Sequence, residues 1–452
     1  MKEIWARDIK LGQFIRSQKI RTNENYKWSQ FVLPIVVDGK SYLFNLWTKQ
    51  CFETDLPFDK DEIFTPSRIA SSPDLTALTE GFFLAPSSRD ECAFYEGYSK
   101  LIRVALQRRT VSAYTILPTT ACNARCVYCY EKGLKTVSMT RETAEKVVDF
   151  IVATRCKDKP LHLAWFGGEP LLGEAIIDQI CAGMVENGID FYSTMVTNGS
   201  LLNRSLIEKA QTTWNLERVQ VSMDGAENDY ILRKNYLRGE NNYRKVIENV
   251  NLLAERKIQT TIRVNADQDN LEGMDCFLDD VANGVADKSQ VAICLTPLFA
   301  VQDSDQSAEI WGKCLQFQRR SLSLGFARVN VTNLRTYRVA FCMAETPYSS
   351  VVITPDKLFY NCEHCVPGTD VGSLDDGFVK KDVLESFLYP ESAREKCREC
   401  PFLPECTTFS RCPIKLQRCR EVKKLQIEYD LVASLSSLRD NSSLRREDAD
   451  VC

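Results

Sequence analysis

The chain has 452 residues, 44% hydrophobic and 26% charged, the mix of a folded globular protein with room for about three domains. Its 57 Lys and Arg against 61 Asp and Glu leave a formal charge of −4, which gives no electrostatic footprint for nucleic acid or an anionic membrane. Only two His, His162 and His364, disfavour a His-ligated zinc site or a Ser-His-Asp nucleophile, whereas 19 Cys point to cysteine or cofactor chemistry.

The opening MKEIWARDIKLGQFIRSQ has no apolar h-region and no small-residue cleavage site, and no run approaches 18 apolar residues. A cytoplasmic protein with no membrane partner is expected. An odd number of cysteines in a reducing compartment argues for metal or redox chemistry over disulfides.

Residues 1–110 read as a small α+β domain. FVLPIVVDGKSYLFNLWTKQCFET (31–54) predicts two strands joined at Asp38-Gly39, and DECAFYEGYSKLIRVALQR predicts a helix over 90–108. From 111 to 330 strands and helices alternate. Strands are expected at 113–118, 161–166, 191–197, 219–223, 258–264 and 291–298. Helices are expected at 140–155, 174–187, 203–213, 243–256, 271–282 and about 306–323, with Thr140 as an N-cap. Six such units predict a parallel α/β domain. From 331 to 425 the pattern turns loop-rich and carries eight of the cysteines. Residues 426–452 continue a charged helix from 421 and end in a tail, DNSSLRREDADVC, expected to fray.

After the first strand, LPTTACNARCVYCYEKG places Cys122, Cys126 and Cys129 within eight residues. Three thiolates on one loop can hold three irons of a cubane and leave a fourth open for a ligand. A structural zinc knuckle is the plain alternative. This C-x3-C-x2-C spacing, with Tyr128 before the last Cys, resembles the signature of radical SAM enzymes. The resemblance implies a partial (βα)6 TIM-like barrel, a 4Fe–4S cluster, and S-adenosylmethionine (SAM) chelated at the open iron and cleaved to a 5′-deoxyadenosyl radical.

Ligand groups in parallel sheets gather at the C-terminal strand ends. There the chain carries Phe166-Gly167-Gly168-Glu169-Pro170, then Thr197-Asn198-Gly199, Ser222-Met223-Asp224-Gly225 and Arg263-Val264-Asn265. The first matches the GGEP motif, which by resemblance contacts the methionine amino group, with Glu169 offering an ammonium acceptor. Tyr128, Thr197, Asn198, Ser222 and Arg263 are implied as further SAM contacts, with Arg263 facing the carboxylate; Arg233 and Lys234 compete for that job. Asp224 is a candidate base. His162 reads as structural, and His364 as a bystander or a donor to a cluster sulfur.

The C-terminal cysteines are Cys342, Cys362, Cys365, Cys397, Cys400, Cys406, Cys412 and Cys419. Eight thiolates suit two four-ligand sites, and spacing alone does not separate iron–sulfur from zinc. The arrangement resembles the SPASM domain, whose two auxiliary 4Fe–4S clusters would take Cys342, Cys362, Cys365 and Cys412 in one and Cys397, Cys400, Cys406 and Cys419 in the other. Two departures, Lys357 where the family has Gly and C-x5-C between Cys406 and Cys412, bear on the first set. With three clusters in all, the resemblance implies a maturase. It would cross-link a ribosomally made precursor peptide through C–C or C–S bonds, fed by an external flavodoxin- or ferredoxin-type electron donor. Residues 1–110 match the winged-helix-like leader-binding modules of such enzymes in size and order. The rivals are an anaerobic sulfatase-maturing enzyme and, more distantly, a non-catalytic iron–sulfur electron carrier.

Overall fold

The computed structural model describes residues 1–440 apart from 13, 107–109, 134, 299–306, 330–333, 338–342, 346–347, 366, 386–394 and 406–419. Its first seven strands belong to an N-terminal module: β1 (Lys2–Trp5), β2 (Tyr26–Trp28), β3 (Val32–Val37), β4 (Lys40–Asn45), β5 (Cys51–Glu53), β6 (Ile63–Phe64) and β7 (Leu84–Pro86). They form an antiparallel sheet of order β1-β5-β4-β3 and a smaller one of order β6-β2-β7. The expected turn joins β3 to β4, with Asp38 at φ 50° and Gly39 at φ 75°, the left-handed pair a two-residue hairpin needs. Two expected strands are thus part of seven. The helix Glu91–Leu106 follows.

The central sheet contains β8 (Ala113–Ile116), β9 (Leu161–Trp165), β10 (Phe191–Thr197), β11 (Leu216–Ser222), β12 (Gln259–Ala266) and β13 (Val291–Pro297), all parallel and in chain order. Helices Arg141–Thr154, Glu174–Glu186, Arg204–Thr213, Tyr243–Glu255, Met274–Gly284 and Ser307–Ser323 return the chain each time. This is the partial (βα)6 barrel. Thr140 caps the first of these helices by accepting from the Thr143 N–H at 3.1 Å. Alternate strand residues such as Tyr114, Ile116, Leu163, Trp165, Val221, Ile262 and Ile293 are buried against the helices. Their neighbours Thr115, His162, Ala164, Thr194, Gln220 and Arg263 are half-buried. A parallel sheet covered on both faces would be apolar throughout. Here one face is core, and the other is a polar, partly open interior.

The alternation does not stop at 330. β14 (Ser350–Ile353) pairs in parallel with β8, and β15 (Leu358–Tyr360), β16 (Gly372–Ser373) and β17 (Gly377–Phe378) extend the same sheet antiparallel. The helix read from 421 is Arg420–Asp440. Its Ile427, Leu431 and Leu435 share one apolar cluster with Trp5, Val37, Phe44 and Cys51 of the N-terminal module and with Leu334 and Phe402. A second shared cluster joins Phe31, Trp47 and Tyr95 to Tyr337 and Leu403. Two ion pairs cross the same boundary: Lys49 with Glu405, both almost fully buried, and Arg103 with Glu345 at 2.7 Å. Residues 441–452 lie outside the described residues. Among the described residues no helix is long and apolar enough to cross a membrane.

Candidate active site

β8 ends at Ile116, and the loop beyond it carries Cys122, Cys126 and Cys129 as free, half-buried thiols. The Cys129 N–H donates to the Cys126 carbonyl at 3.1 Å, which closes a tight turn. Residues 123–127 run antiparallel to 233–237. Arg125 N–H donates to the Lys234 carbonyl at 3.1 Å, Val127 N–H to Arg233 at 3.0 Å, and Leu237 N–H to Asn123 at 3.0 Å. The helix Glu227–Lys234, which the sequence reading missed, ends at Asn235 in the left-handed region and so presents these carbonyls.

The GGEP segment supports the loop from the other side. A Cβ on Gly167 would lie 2.3 Å from the Thr119 carbonyl, and one on Gly168 would lie 2.4 Å from that of Ala121. Gly167 also sits at φ 115°. Both glycines are therefore required by close backbone approach. The Gly168 and Glu169 N–H groups donate to Thr119 and Ala121 at 3.2 and 2.8 Å.

Glu169 is fully buried. Its carboxylate accepts from Thr197 Oγ1 at 2.7 Å, Asn198 N–H at 2.9 Å and Leu171 N–H at 3.2 Å. Burial raises its pKa, against those hydrogen bonds. Glu169 thus ties the end of β9 to the end of β10 and has roughly one acceptor site left. Thr197 and Asn198 are similarly engaged. Asn198 donates to Asn123 Oδ1 at 2.8 Å and accepts from the Ser200 Oγ and N–H at 2.6 and 3.0 Å. They pin the cysteine loop, where the sequence suggested cofactor contacts.

Below the loop lies a buried ionic network. Lys234 pairs with Asp224 Oδ2 at 3.0 Å and donates to Ser222 Oγ at 2.8 Å and Tyr128 Oη at 3.0 Å. Tyr128 in turn donates to Asp224 Oδ2 at 2.5 Å. Asp224 also accepts from the N–H and side chain of Asn265, both at 3.3 Å, and has no exposed surface. Burial alone would lower the Lys234 pKa, but Asp224 and Tyr128 hold it well above its ordinary value. Burial raises that of Tyr128. Asp224 is an anchor whose charge Lys234 already neutralises, and it has no free face from which to act as a base.

Two of the three cations named for a carboxylate already have ion-pair partners. Arg233 is spent on Asp267 in a bidentate pair at 3.0 and 2.9 Å, and Lys234 on Asp224. Arg263 stands on the interior face between Ser222 of β11 and Cys294 of β13, and its Nε is buried with no hydrogen-bond partner among the described residues. Deeper in the same interior, His162 bonds Thr194 Oγ1 at 2.9 Å and stacks on Tyr192.

Of the C-terminal cysteines, Cys362, Cys365, Cys397 and Cys400 are among the described residues and half-buried; Cys342, Cys406, Cys412 and Cys419 lie outside the described residues. Cys362 Sγ lies 3.5 Å from His364 Nδ1, and the His364 ring packs on Tyr130 with centroids 4.5 Å apart. The two cysteine loops therefore meet through this ring pair. Cys397 and Cys400 sit beneath the N-terminal module, each packed against one of the shared apolar clusters.

Among the described residues no three His, Cys, Asp or Glu converge as ligands of one ion would. A cubane asks for something different, one thiolate on each iron, and the loop of three thiols over a glycine cradle fits that demand. Burial pushes the Cys122 thiol up to about 11 and Cys365 up to about 12, so loading metal must displace protons.

Residues 116–275 match the radical SAM superfamily. A GTP 3′,8-cyclase of Chlorobaculum tepidum is 31% identical over 118 residues, 26% of this chain and 34% of that protein. An uncharacterized protein of Methanocaldococcus jannaschii is 30% identical over 118 residues, 25% of this chain and 39% of the other. The chain thus spans little more than a third of these curated relatives. Among solved structures, anSMEcpe with AdoMet bound aligns at TM-score 0.57 and 16% identity, over 73% of this chain and 100% of that one. SuiB of Streptococcus suis with S-adenosylmethionine bound aligns at TM-score 0.51 and 12% identity, over 88% of this chain and 98% of that one. At such identities the likeness is one of fold.

Proposed function

From the premise that this chain belongs to the radical SAM superfamily through residues 116–275, we propose that it is a SPASM-type peptide maturase. It installs a C–C or C–S cross-link in a ribosomally made precursor peptide. The observation that carries the reading is the pairing of a three-thiol loop, clamped by Gly167, Gly168 and the 233–237 segment, with a polar barrel interior and a second cysteine loop meeting it at Tyr130 and His364. A 4Fe–4S cluster with SAM would supply a 5′-deoxyadenosyl radical for hydrogen abstraction.

Cys122, Cys126 and Cys129 would hold the cluster. Arg263, with its orphaned Nε, would receive the SAM carboxylate, because a guanidinium is always charged and forks onto two oxygens. Tyr128, Glu169, Thr197, Asn198, Ser222 and Asp224 hold the loop and strand ends in place around it. The eight C-terminal cysteines would hold two auxiliary clusters, and residues 1–110 would bind the leader. The likeness to SuiB extends over 88% of this chain against 73% for anSMEcpe, which favours a maturase with an added module. The second reading is sulfatase maturation, favoured by the higher TM-score to anSMEcpe and by a solved complex of that protein with AdoMet and a Cp18Cys peptide.

The test is anaerobic reconstitution followed by co-expression with candidate precursor peptides. About 12 iron per chain, 5′-deoxyadenosine on reduction, and a peptide that loses two hydrogens while keeping its sulfur are expected. Stoichiometric zinc with little iron would end the auxiliary-cluster assignment. Conversion of a single Cys or Ser to an aldehyde would favour the second reading.

A further inference from the structure

The barrel interior carries charge of one sign. Residues of β8–β13 alternate between core and interior, and the interior faces hold no aspartate or glutamate. They hold two arginines, Arg218 of β11 and Arg263 of β12. A β-bulge sharpens the asymmetry. Ser193 pairs with Leu216 but Thr194 with Arg218, so Glu217 drops out of the alternation and is exposed, while Arg218 keeps the interior register of Gln220 and Ser222. The two arginines differ in their surroundings. Arg263 has Glu363 of the second cysteine loop within electrostatic reach, and the proposed function gives it the SAM carboxylate. Arg218 makes no hydrogen bond or ion pair with any described residue. The carboxylates at the strand ends are engaged elsewhere, Glu169 with Thr197 and Asn198, and Asp224 with Lys234.

Arg218 lies low in the barrel. It is level with Thr194 and Gln259, whereas Ser222, level with Arg263, is four residues nearer the cysteine loop, about 13 Å at about 3.3 Å per residue. Neighbouring strands present small residues to this gap, namely Thr115, Ala164, Thr261 and Ala292, which leaves room for an amino-acid side chain. His162, bonded to Thr194 and stacked on Tyr192, forms the adjoining wall. Burial first, then the Arg218 charge, pushes its pKa down to about 4, so near neutral pH it is uncharged. We propose that Arg218 receives a carboxylate of the substrate peptide, so that the residue held in the barrel is an aspartate, a glutamate or the chain terminus. The inference rests on the proposed function and adds the chemical class of its substrate. A guanidinium grips a carboxylate through two parallel N–H···O bonds. Inside a concave, partly desolvated wall that attraction is stronger than in water. A lysine side chain in the same place meets like charge and is rejected.

The test uses the reconstituted full chain, labelled with nitrogen-15 at histidine, with SAM added and the cluster oxidised so that nothing turns over. Three blocked amino acids are titrated. N-acetylglutamic acid α-amide carries a side-chain carboxylate, N-acetylalanine a terminal one, and N-acetylglutamine amide neither. The shift of the His162 ring reads occupancy beside Arg218, and only two imidazoles have to be resolved. At least one of the two carboxylates should bind at least about tenfold more tightly than the glutamine amide, and the one that does names the source. Arg218→Gln should weaken that carboxylate at least about tenfold and leave the glutamine amide alone. Arg218→Lys, which keeps the charge and loses the fork, should weaken it less. Should Arg218→Gln lose its iron, the comparison of ligands in the wild type and the loss in Arg218→Lys decide. Equal binding of all three ligands, no shift of His162, or an unchanged Kd in Arg218→Gln overturns the proposal. Failure to bind SAM, or to form 5′-deoxyadenosine with dithionite, instead overturns the proposed function, and the carboxylate result then stands separately.

Discussion

The two cysteine regions are built in opposite ways. Cys122, Cys126 and Cys129 lie on one loop whose support is local: glycines 167 and 168 beneath it, the 233–237 segment beside it and the Lys234–Asp224 pair inside it. The C-terminal cysteines are dispersed. Cys362 and Cys365 hang from the extension of the barrel sheet, while Cys397 and Cys400 sit in a turn held by the N-terminal module through Trp47, Leu403 and the Lys49–Glu405 pair. The first site is positioned within the barrel alone, and the second only by the barrel, the C-terminal segment and the N-terminal module together. The first loop should therefore be the more autonomous of the two.

Removing residues 1–100 breaks the comparison hardest. Leu334, Phe402, Leu403, Ile427 and Leu431 would lose the partners that bury them. The truncated chain is expected to lose iron beyond the share of one cluster and to aggregate, which iron content and gel filtration measure. A soluble truncation with all its iron would show the module to be a separable appendage.

Two single substitutions sharpen the contrast. Lys234→Met leaves Asp224 charged and unpaired inside the barrel, and Lys49→Met does the same to Glu405 beneath the module. Each should cost about 3–5 kcal/mol in denaturant unfolding. Their functional outcomes should diverge. Lys234→Met abolishes SAM cleavage, whereas Lys49→Met loses about a third of the iron and keeps SAM cleavage, if the auxiliary sites are as proposed.

A pH experiment probes the barrel interior apart from both cysteine regions. Burial first, then the charge of Arg218, lowers the His162 pKa from 6.5 to about 4. The unfolded chain therefore takes up this proton first as pH falls, and folding loses stability between pH 6.5 and 4, by up to about 3 kcal/mol. His162→Gln should flatten that part of the stability profile. With only two imidazoles in the chain, an NMR titration in which neither falls well below 6 would refute the assignment.

Gly168→Ala pushes a Cβ into the Ala121 and Thr120 carbonyls and should cost about 1–3 kcal/mol. Iron and SAM binding at the first loop should fall while the C-terminal iron stays. The smallest effect belongs to the bridge between the regions. His364→Ala removes the ring on Tyr130 and the neighbour of Cys362 Sγ, for about 1 kcal/mol or less. Electron paramagnetic resonance should show it altering a C-terminal cluster signal and leaving the SAM-bound one alone.

Much of the barrel was legible in the sequence. All six expected strands are present with bounds shifted by three residues or fewer, because strand–helix alternation with caps such as Thr140 is a local pattern. β14 was missed because Val351–Ile353 is an apolar run of only three residues and gains its meaning only by pairing with β8. The charged helix Arg420–Asp440 was legible as a helix but its packing was not, because Ile427 and Leu431 are buried by strands nearly 400 residues away. At the site, the cysteine loop and the glycine pair were readable as residues. The engagement of Glu169, Thr197, Asn198 and Asp224 with the protein itself was not, since a side chain's partner across strand ends leaves no mark in spacing.

The sequence by itself determined the βα repeat, the three-thiol loop and the two glycines that let backbone approach it. Each is a matter of short-range periodicity, spacing or absent Cβ, and those forces act within a few residues. Only the tertiary structure decided that Arg233 is paired with Asp267 and Lys234 with Asp224 while Arg263 stands on the interior face between β11 and β13, and that the N-terminal module and the C-terminal helix share one core. Desolvation and pairing are properties of what is brought together from afar, and a charge is free or spent only once its neighbours are in place.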